Sequence, residues 1–195
     1  MARAWMLLAR LAAGPASAVV FAVGCASAQN PPPASRPAPS FTSPSPAAPA
    51  DSVPPWLVSD DGAKTVTVAF QVTRAADGAA LINGHRNGEL QIVVPLGWTV
   101  QWDWRNADST APHSLVVMAE REKLPAEGGR AAFTNAMTRM VTAGLRVGQG
   151  DRTTFTAEEA GWYWLLCGVP GHAIAGEFLG LRVDPEATTA SVRVK

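Results

Sequence analysis

The 195-residue chain predicts an all-β domain, an antiparallel sandwich or barrel of short strands. Three observations carry this. Lys64–Arg74 alternates Val66, Val68, Phe70 and Val72 with Thr65, Thr67, Gln71 and Thr73. Thr99–Arg105 places Val100, Trp102 and Trp104 on one face and Gln101, Asp103 and Arg105 on the other. Further short segments that read as strands follow, separated by turn signals.

Ahead of this domain lie two segments of different composition. Residues 1–28 read as a secretory signal: Arg3 and Arg10 flank apolar runs, and Ala26-Ser27-Ala28 supplies small residues for cleavage before Gln29. A membrane helix is the rival reading, and Pro15 and the many small residues oppose it. Ala22-Val23-Gly24-Cys25 also resembles a bacterial lipoprotein box, in which Cys25 would carry the lipid anchor. Both cleavage readings predict export across the cytoplasmic membrane, to a periplasmic or outer-side membrane-anchored position. Residues 29–55 hold 10 of the 16 prolines with Ala and Ser between them. They bury too little to offset ordering entropy, so a disordered linker is predicted there. Residues 56–195 remain, enough for one folded unit with a core.

Within that unit, Leu90–Val94 is an apolar strand ended by Pro95-Leu96-Gly97, and Ser114–Ala119, Asp151–Thr156, Gly161–Cys167 and Phe178–Val183 also read as strands. Residues 120–150 break the rhythm, with Ala131–Val141 either a short helix or an irregular excursion. Tyr163 and Leu165 share the parity of Cys167 and should face the core. Trp162, Trp164 and Leu166 point the other way, to be covered by the excursion or left as an apolar docking patch.

Charge excludes one class of partner. Lys and Arg equal Asp and Glu at 16 each, and loss of residues 1–28 leaves a net charge of −2, so a nucleic-acid surface is not expected. Cys25 and Cys167 are the only cysteines. With Cys25 lipidated or removed, Cys167 is a lone thiol in an oxidising compartment and needs a reason.

That reason is legible around it. A strand ends on Cys167, the loop Gly168-Val169-Pro170-Gly171 follows, and His172 comes five residues later. His113 lies just before a strand. One thiolate and two imidazoles in a trigonal arrangement suit copper in a blue-copper site. Each residue alone has a bland reading, a small buried hydrophobe or a surface His; the three together do not. A nucleophilic Cys–His pair lacks a placed residue to orient the base.

The chain resembles the cupredoxins, and among them the sulfocyanins. The resemblance is carried by Asn83-Gly84-His85-Arg86-Asn87-Gly88-Glu89-Leu90, by Pro112-His113-Ser114, and most specifically by Cys167-Gly168-Val169-Pro170-Gly171-His172-Ala173. It implies a Greek-key β-sandwich of about seven to eight strands with the irregular or short-helical excursion near 120–150. It also implies one mononuclear copper, held by His113, Cys167 and His172, and single-electron transport with redox protein partners, membrane-associated respiratory components among them. The family's axial Met falls at Glu177 here. An ionised Glu177 on copper would favour Cu(II), lower the potential and shift the colour from blue towards green or red. Glu177 turned to solvent is the alternative.

Met118, Met137 and Met140 are weaker axial candidates; odd spacing from His113 turns Met118 to the opposite face. His85 reads as a loop residue. Asn106 would pin the ligand loops or donate to the Cys sulfur, or be a simple turn residue. His172 would be the electron port, with Val169, Pro170, Ala173 and Ile174 as a docking rim. Two other functions stay open: a copper or zinc module for delivery or sensing, and a red-copper redox enzyme binding a small ligand.

Overall fold

A computed structural model describes residues 53–120 and 123–195. The signal, Cys25 and nearly all of the linker lie outside the described residues. Among the described residues, ten strands form two sheets: β1 Leu57–Asp60, β2 Thr65–Arg74, β3 Ala80–Ile82, β4 Leu90–Pro95, β5 Thr99–Asn106, β6 Val116–Ala119, β7 Gly150–Thr156, β8 Gly161–Leu166, β9 Phe178–Asp184 and β10 Ser191–Val194. The first sheet runs β1-β2-β5-β7, with β3 on β2; the second runs β10-β4-β9-β8-β6.

The all-β sandwich is as expected, with two corrections. The sheets are mixed, because β2 pairs β5 and β4 pairs β9 in parallel. Ten strands exceed the seven to eight expected, because β1, β3 and β10 are three or four residues long, too short to show a period.

Alternation sets the core. Val66, Val68, Phe70 and Val72 from β2 meet Val100, Trp102 and Trp104 from β5, and Tyr163 and Leu165 from β8 close the other side. Trp102 packs edge-on against Phe70 and Phe155, at ring separations of 5.9 and 5.4 Å. β4 is buried throughout, as expected of an apolar strand between β10 and β9.

The 120–150 excursion is irregular; no helix occurs among the described residues. Its backbone amides are drawn to the edge of β6 instead: Ala132 N–H bonds Val117 O at 2.8 Å and Thr138 N–H bonds Leu115 O at 2.8 Å. Asn135 and Met140 adopt positive φ, which breaks a right-handed helix at both places. Phe133 and Ala136 are thereby buried in the main core.

The excursion also covers much of the outer face of β8. Leu166 is fully buried with Val116 and Ala173, and Met118, Leu124, Val141 and Trp164 pack against them. Trp162 stays 51% exposed, with the Arg182 guanidinium 4.9 Å above its ring. The excursion finally clamps the Cys167 loop: Gly128 N–H bonds Gly168 O at 2.8 Å and Gly171 N–H bonds Ala126 O at 2.7 Å.

Candidate metal centre

Two loops at one end of the sandwich supply the chemistry. His113 follows β5 and is held by a two-way backbone bridge to Leu145, at 3.0 and 2.7 Å. Cys167, His172 and Glu177 share the loop between β8 and β9. That loop is stitched across its neck, since Cys167 N–H bonds Glu177 O and Glu177 N–H bonds His172 O, both at 3.1 Å.

The donor atoms of His113, Cys167, His172 and Glu177 all lie within 4.8 Å of one another. Cys167 Sγ is 3.5 Å from His172 Nδ1 and 4.0 Å from His113 Nδ1. Glu177 Oε2 bridges the imidazoles, 2.8 Å from His113 Nδ1 and 3.1 Å from His172 Nδ1. Glu177 therefore turns into the cluster and not towards solvent. Its other oxygen, Oε1, is buried without a hydrogen-bond partner. His113, Cys167 and Glu177 are buried, and the His172 side chain is 26% exposed.

The surroundings work against charge in some places and for it in others. Burial, then the Glu177 charge, push the Cys167 thiol up to about 12. Burial alone would raise Glu177, but hydrogen bonds from His113 and His172 outweigh it and hold the carboxyl below its ordinary value. Burial would likewise lower His113, yet Glu177 and Asp108 together raise it.

A buried thiol, two imidazoles and a carboxylate with an orphaned oxygen form a donor set that one cation would satisfy. The thiolate and imidazoles suit copper, and the set fits a single copper site.

Several residues support this set. Ser114 N–H donates to Cys167 Sγ at 3.4 Å, and Ser114 Oγ accepts from Gly168 N–H at 2.9 Å. Asn106 holds the His113 loop and the segment bridged to it, donating through Nδ2 to Ala111 O at 2.9 Å and Leu145 O at 2.8 Å. It makes no bond to the sulfur; the Ser114 amide takes that place. Asp108 accepts from His113 Nε2 at 2.8 Å and pairs with Arg74 at 2.7 Å. Sequence reasoning missed Arg74, Asp108 and Ser114; the Asn106-Ala107-Asp108 run that begins on the last residue of β5 was the only local hint of the second.

The remaining candidates fall elsewhere. Met118 lies on the outer face of the second sheet, and Met137 and Met140 are 41% and 60% exposed at the surface. His85 closes a turn with Ile82 and is outside the cluster. Ala173 is no part of a rim: it is buried against Val116 and Leu166, whereas Pro170 and Ile174 are exposed.

Gly144 controls the approach of the two loops. Its φ is +72°, and a Cβ there would lie 2.9 Å from His113 N and from Val169 Cγ2. Gly144→Ala is expected to cost at least about 2 kcal/mol, from left-handed strain and overpacking. Chemical denaturation measures this, with an unchanged midpoint as the contrary result.

A two-sheet β frame with this donor set at one end defines a cupredoxin. The model of the Sulfocyanin (SoxE) domain matches residues 56–192, and the chain belongs to that family. No curated protein matches it. Among solved structures, reduced rusticyanin is 22% identical, covering 62% of this chain and 85% of that one, with a TM-score of 0.43. Rusticyanin from Thiobacillus ferrooxidans is 21% identical, covering 62% and 82%, with a TM-score of 0.40. A Cu-containing nitrite reductase from Thermus scotoductus SA-01 is 19% identical, covering 62% of this chain and 28% of that one, with a TM-score of 0.43. Family and donor cluster together support a type 1-like copper electron carrier.

Proposed function

We propose that this protein carries single electrons outside the cytoplasm through a type 1-like copper centre in which Glu177 replaces the axial thioether. His113 Nδ1, His172 Nδ1 and Cys167 Sγ would be the three strong ligands. The observation that carries the reading is Glu177 Oε2 within 3.1 Å of both imidazole nitrogens in a buried cluster. Bound copper would supply a one-electron couple. The chain's part is to hold four donors rigidly, so that little rearranges between oxidation states.

The electron port would be His172, the one partly exposed member of the set. Pro170 and Ile174 beside it are exposed and would meet a redox protein partner, such as a membrane-associated respiratory component. The signal-like residues 1–28 and the lipoprotein-like Cys25 support an exported, periplasmic or membrane-anchored position.

Adding Cu(II) to the purified metal-free protein tests this reading. An intense thiolate-to-copper absorption with an axial or rhombic EPR signal is expected. A colourless protein that binds only Zn(II) would overturn it.

Loading should also release protons. The ligands bind deprotonated, while the Cys167 thiol and His113 both hold protons above their ordinary pKa. Rising pH removes that competition, so copper affinity should climb from pH 6 to 8, with about one to two protons released per ion. Calorimetry in buffers of different ionisation enthalpy measures the number, and a pH-independent affinity would contradict it.

One observation favours a second reading. A cavity of about 220 Å³ is lined by His113, His172, Ala175, Glu177 and Arg74. A small ligand reaching the centre there would make it a red-copper redox enzyme, and spectral change on adding such a ligand would favour that.

A further inference from the structure

The carboxylate behind His113 has no counterpart in the motifs that identify the site. Asp108 is fully buried, two residues past the end of β5. Its Oδ2 lies 2.8 Å from His113 Nε2. Arg74, at the end of β2, meets the same carboxylate through Nε at 3.1 and 3.0 Å and through Nη2 at 2.7 Å. Arg74 Nη1 also bonds Gly78 O, which ties it to the turn before β3. Thr110 donates to Oδ1 through its amide and its hydroxyl, at 2.8 and 2.7 Å. Asp108 N–H itself is held by Asn106 Oδ1 at 2.8 Å.

An ionised carboxylate only accepts hydrogen bonds. Nε2 of His113 must therefore carry the proton facing Asp108, which leaves Nδ1 to face Cys167, His172 and Glu177. Charge makes a second demand. Cys167 as thiolate and Glu177 already bring two negative charges to the centre. Asp108 adds a third one imidazole away, and Arg74 is the cation bonded to it.

We propose that Asp108 and Arg74 are a paired positioning device for the metal centre. Asp108 fixes the His113 tautomer and ring orientation, and Arg74 cancels the charge that Asp108 would otherwise impose on the redox couple. This rests on the reading of His113 Nδ1 as a copper ligand. A bland alternative is a buried Asp that merely closes the 106–110 turn. That role would leave the potential insensitive to the sign of the charge removed.

Two measurements separate these. In the diamagnetic Cu(I) protein, the His113 Nε2–H should give a slowly exchanging ¹H–¹⁵N signal. Asp108→Ala should lose it to solvent exchange, with Cu(II) affinity falling about 10–100-fold. The second measurement is the reduction potential of Asp108→Asn and Arg74→Gln. Removing the negative charge should raise the potential, and removing the positive charge should lower it. Each should change the ratio of Cu(II) to Cu(I) affinity about tenfold, or roughly 59 mV. The double variant should return close to the wild-type value.

A retained slow-exchanging signal with wild-type affinity in Asp108→Ala would overturn the proposal, as would shifts of the same sign in the two charge variants. Should Asp108→Ala not fold, the opposed shifts decide alone. A wild-type protein without the thiolate-to-copper band would overturn the copper reading and this inference with it. A wild-type band with silent variants overturns this inference only.

Discussion

Cys167→Ser is expected to abolish the intense visible band and reversible one-electron cycling, while the protein stays folded. Sulfur is the one soft donor in the cluster, and the absorption of such a site arises from charge transfer between thiolate and copper. Serine keeps nearly the same volume in a fully buried position, so the fold has little to lose. The Ser114 amide that faces Sγ at 3.4 Å would retain an acceptor in the serine oxygen. Residual Cu(II) should then bind through imidazoles and Glu177 and give only the weak absorption of nitrogen and oxygen ligation. Visible absorption, EPR and a thermal melt on the same sample check all three statements. An intact band in Cys167→Ser would place the copper elsewhere.

The second large effect is at Glu177. Glu177→Met should raise the reduction potential and move the colour back towards blue. Glu177→Gln should raise it as well, because both variants remove one negative charge from the centre. A unit charge at about 4 Å, with an effective dielectric near 20, is worth about 4 kcal/mol. For one electron that is on the order of 100–200 mV. The metal-free protein should also respond. Glu177 accepts from both imidazoles, at 2.8 and 3.1 Å, so its loss leaves His113 facing Cys167 with its partner gone. Protein-film voltammetry with visible spectra decides the matter. Potentials and spectra unchanged in both variants would remove Glu177 from the copper's coordination.

Both effects concern side chains that the sequence brings within eleven residues, from Cys167 to Glu177. A loop that short, with Gly168, Pro170, Gly171 and Gly176 in it, keeps its donors close whatever else the chain does. The four-residue cluster was legible for that reason, with His113 added by its motif. Its supports were not. Ser114 reaches the sulfur from 53 positions away, and Arg74 reaches Asp108 from 34. No local period encodes either contact. Arg74 and Asp108 meet because β2 and β5 lie side by side in parallel, with Val72 opposite Asn106. The expectation of antiparallel pairing pointed away from that contact.

The excursion shows the same limit from the other side. Ala131–Val141 has good helix formers, yet its amides bond to β6 and its Phe133 is buried in the main core. Tertiary pairing overrode local propensity there. It also decided the tryptophans, covering much of Trp164 and leaving Trp162 open.

By itself, then, the sequence determined the alternation that makes β2, β5 and β8 strands, which faces of them are apolar, and which side chains could offer a cation their electrons. Side-chain direction along a strand and reach within a short loop are local properties, set by neighbours in the chain. Only the tertiary structure decided that Glu177 turns inward, that Ser114 rather than Asn106 serves the sulfur, and that a buried Asp108–Arg74 pair stands behind His113. Those contacts depend on the pairing of distant strands, and that is settled by burying one common core, not by any residue's neighbours in the chain.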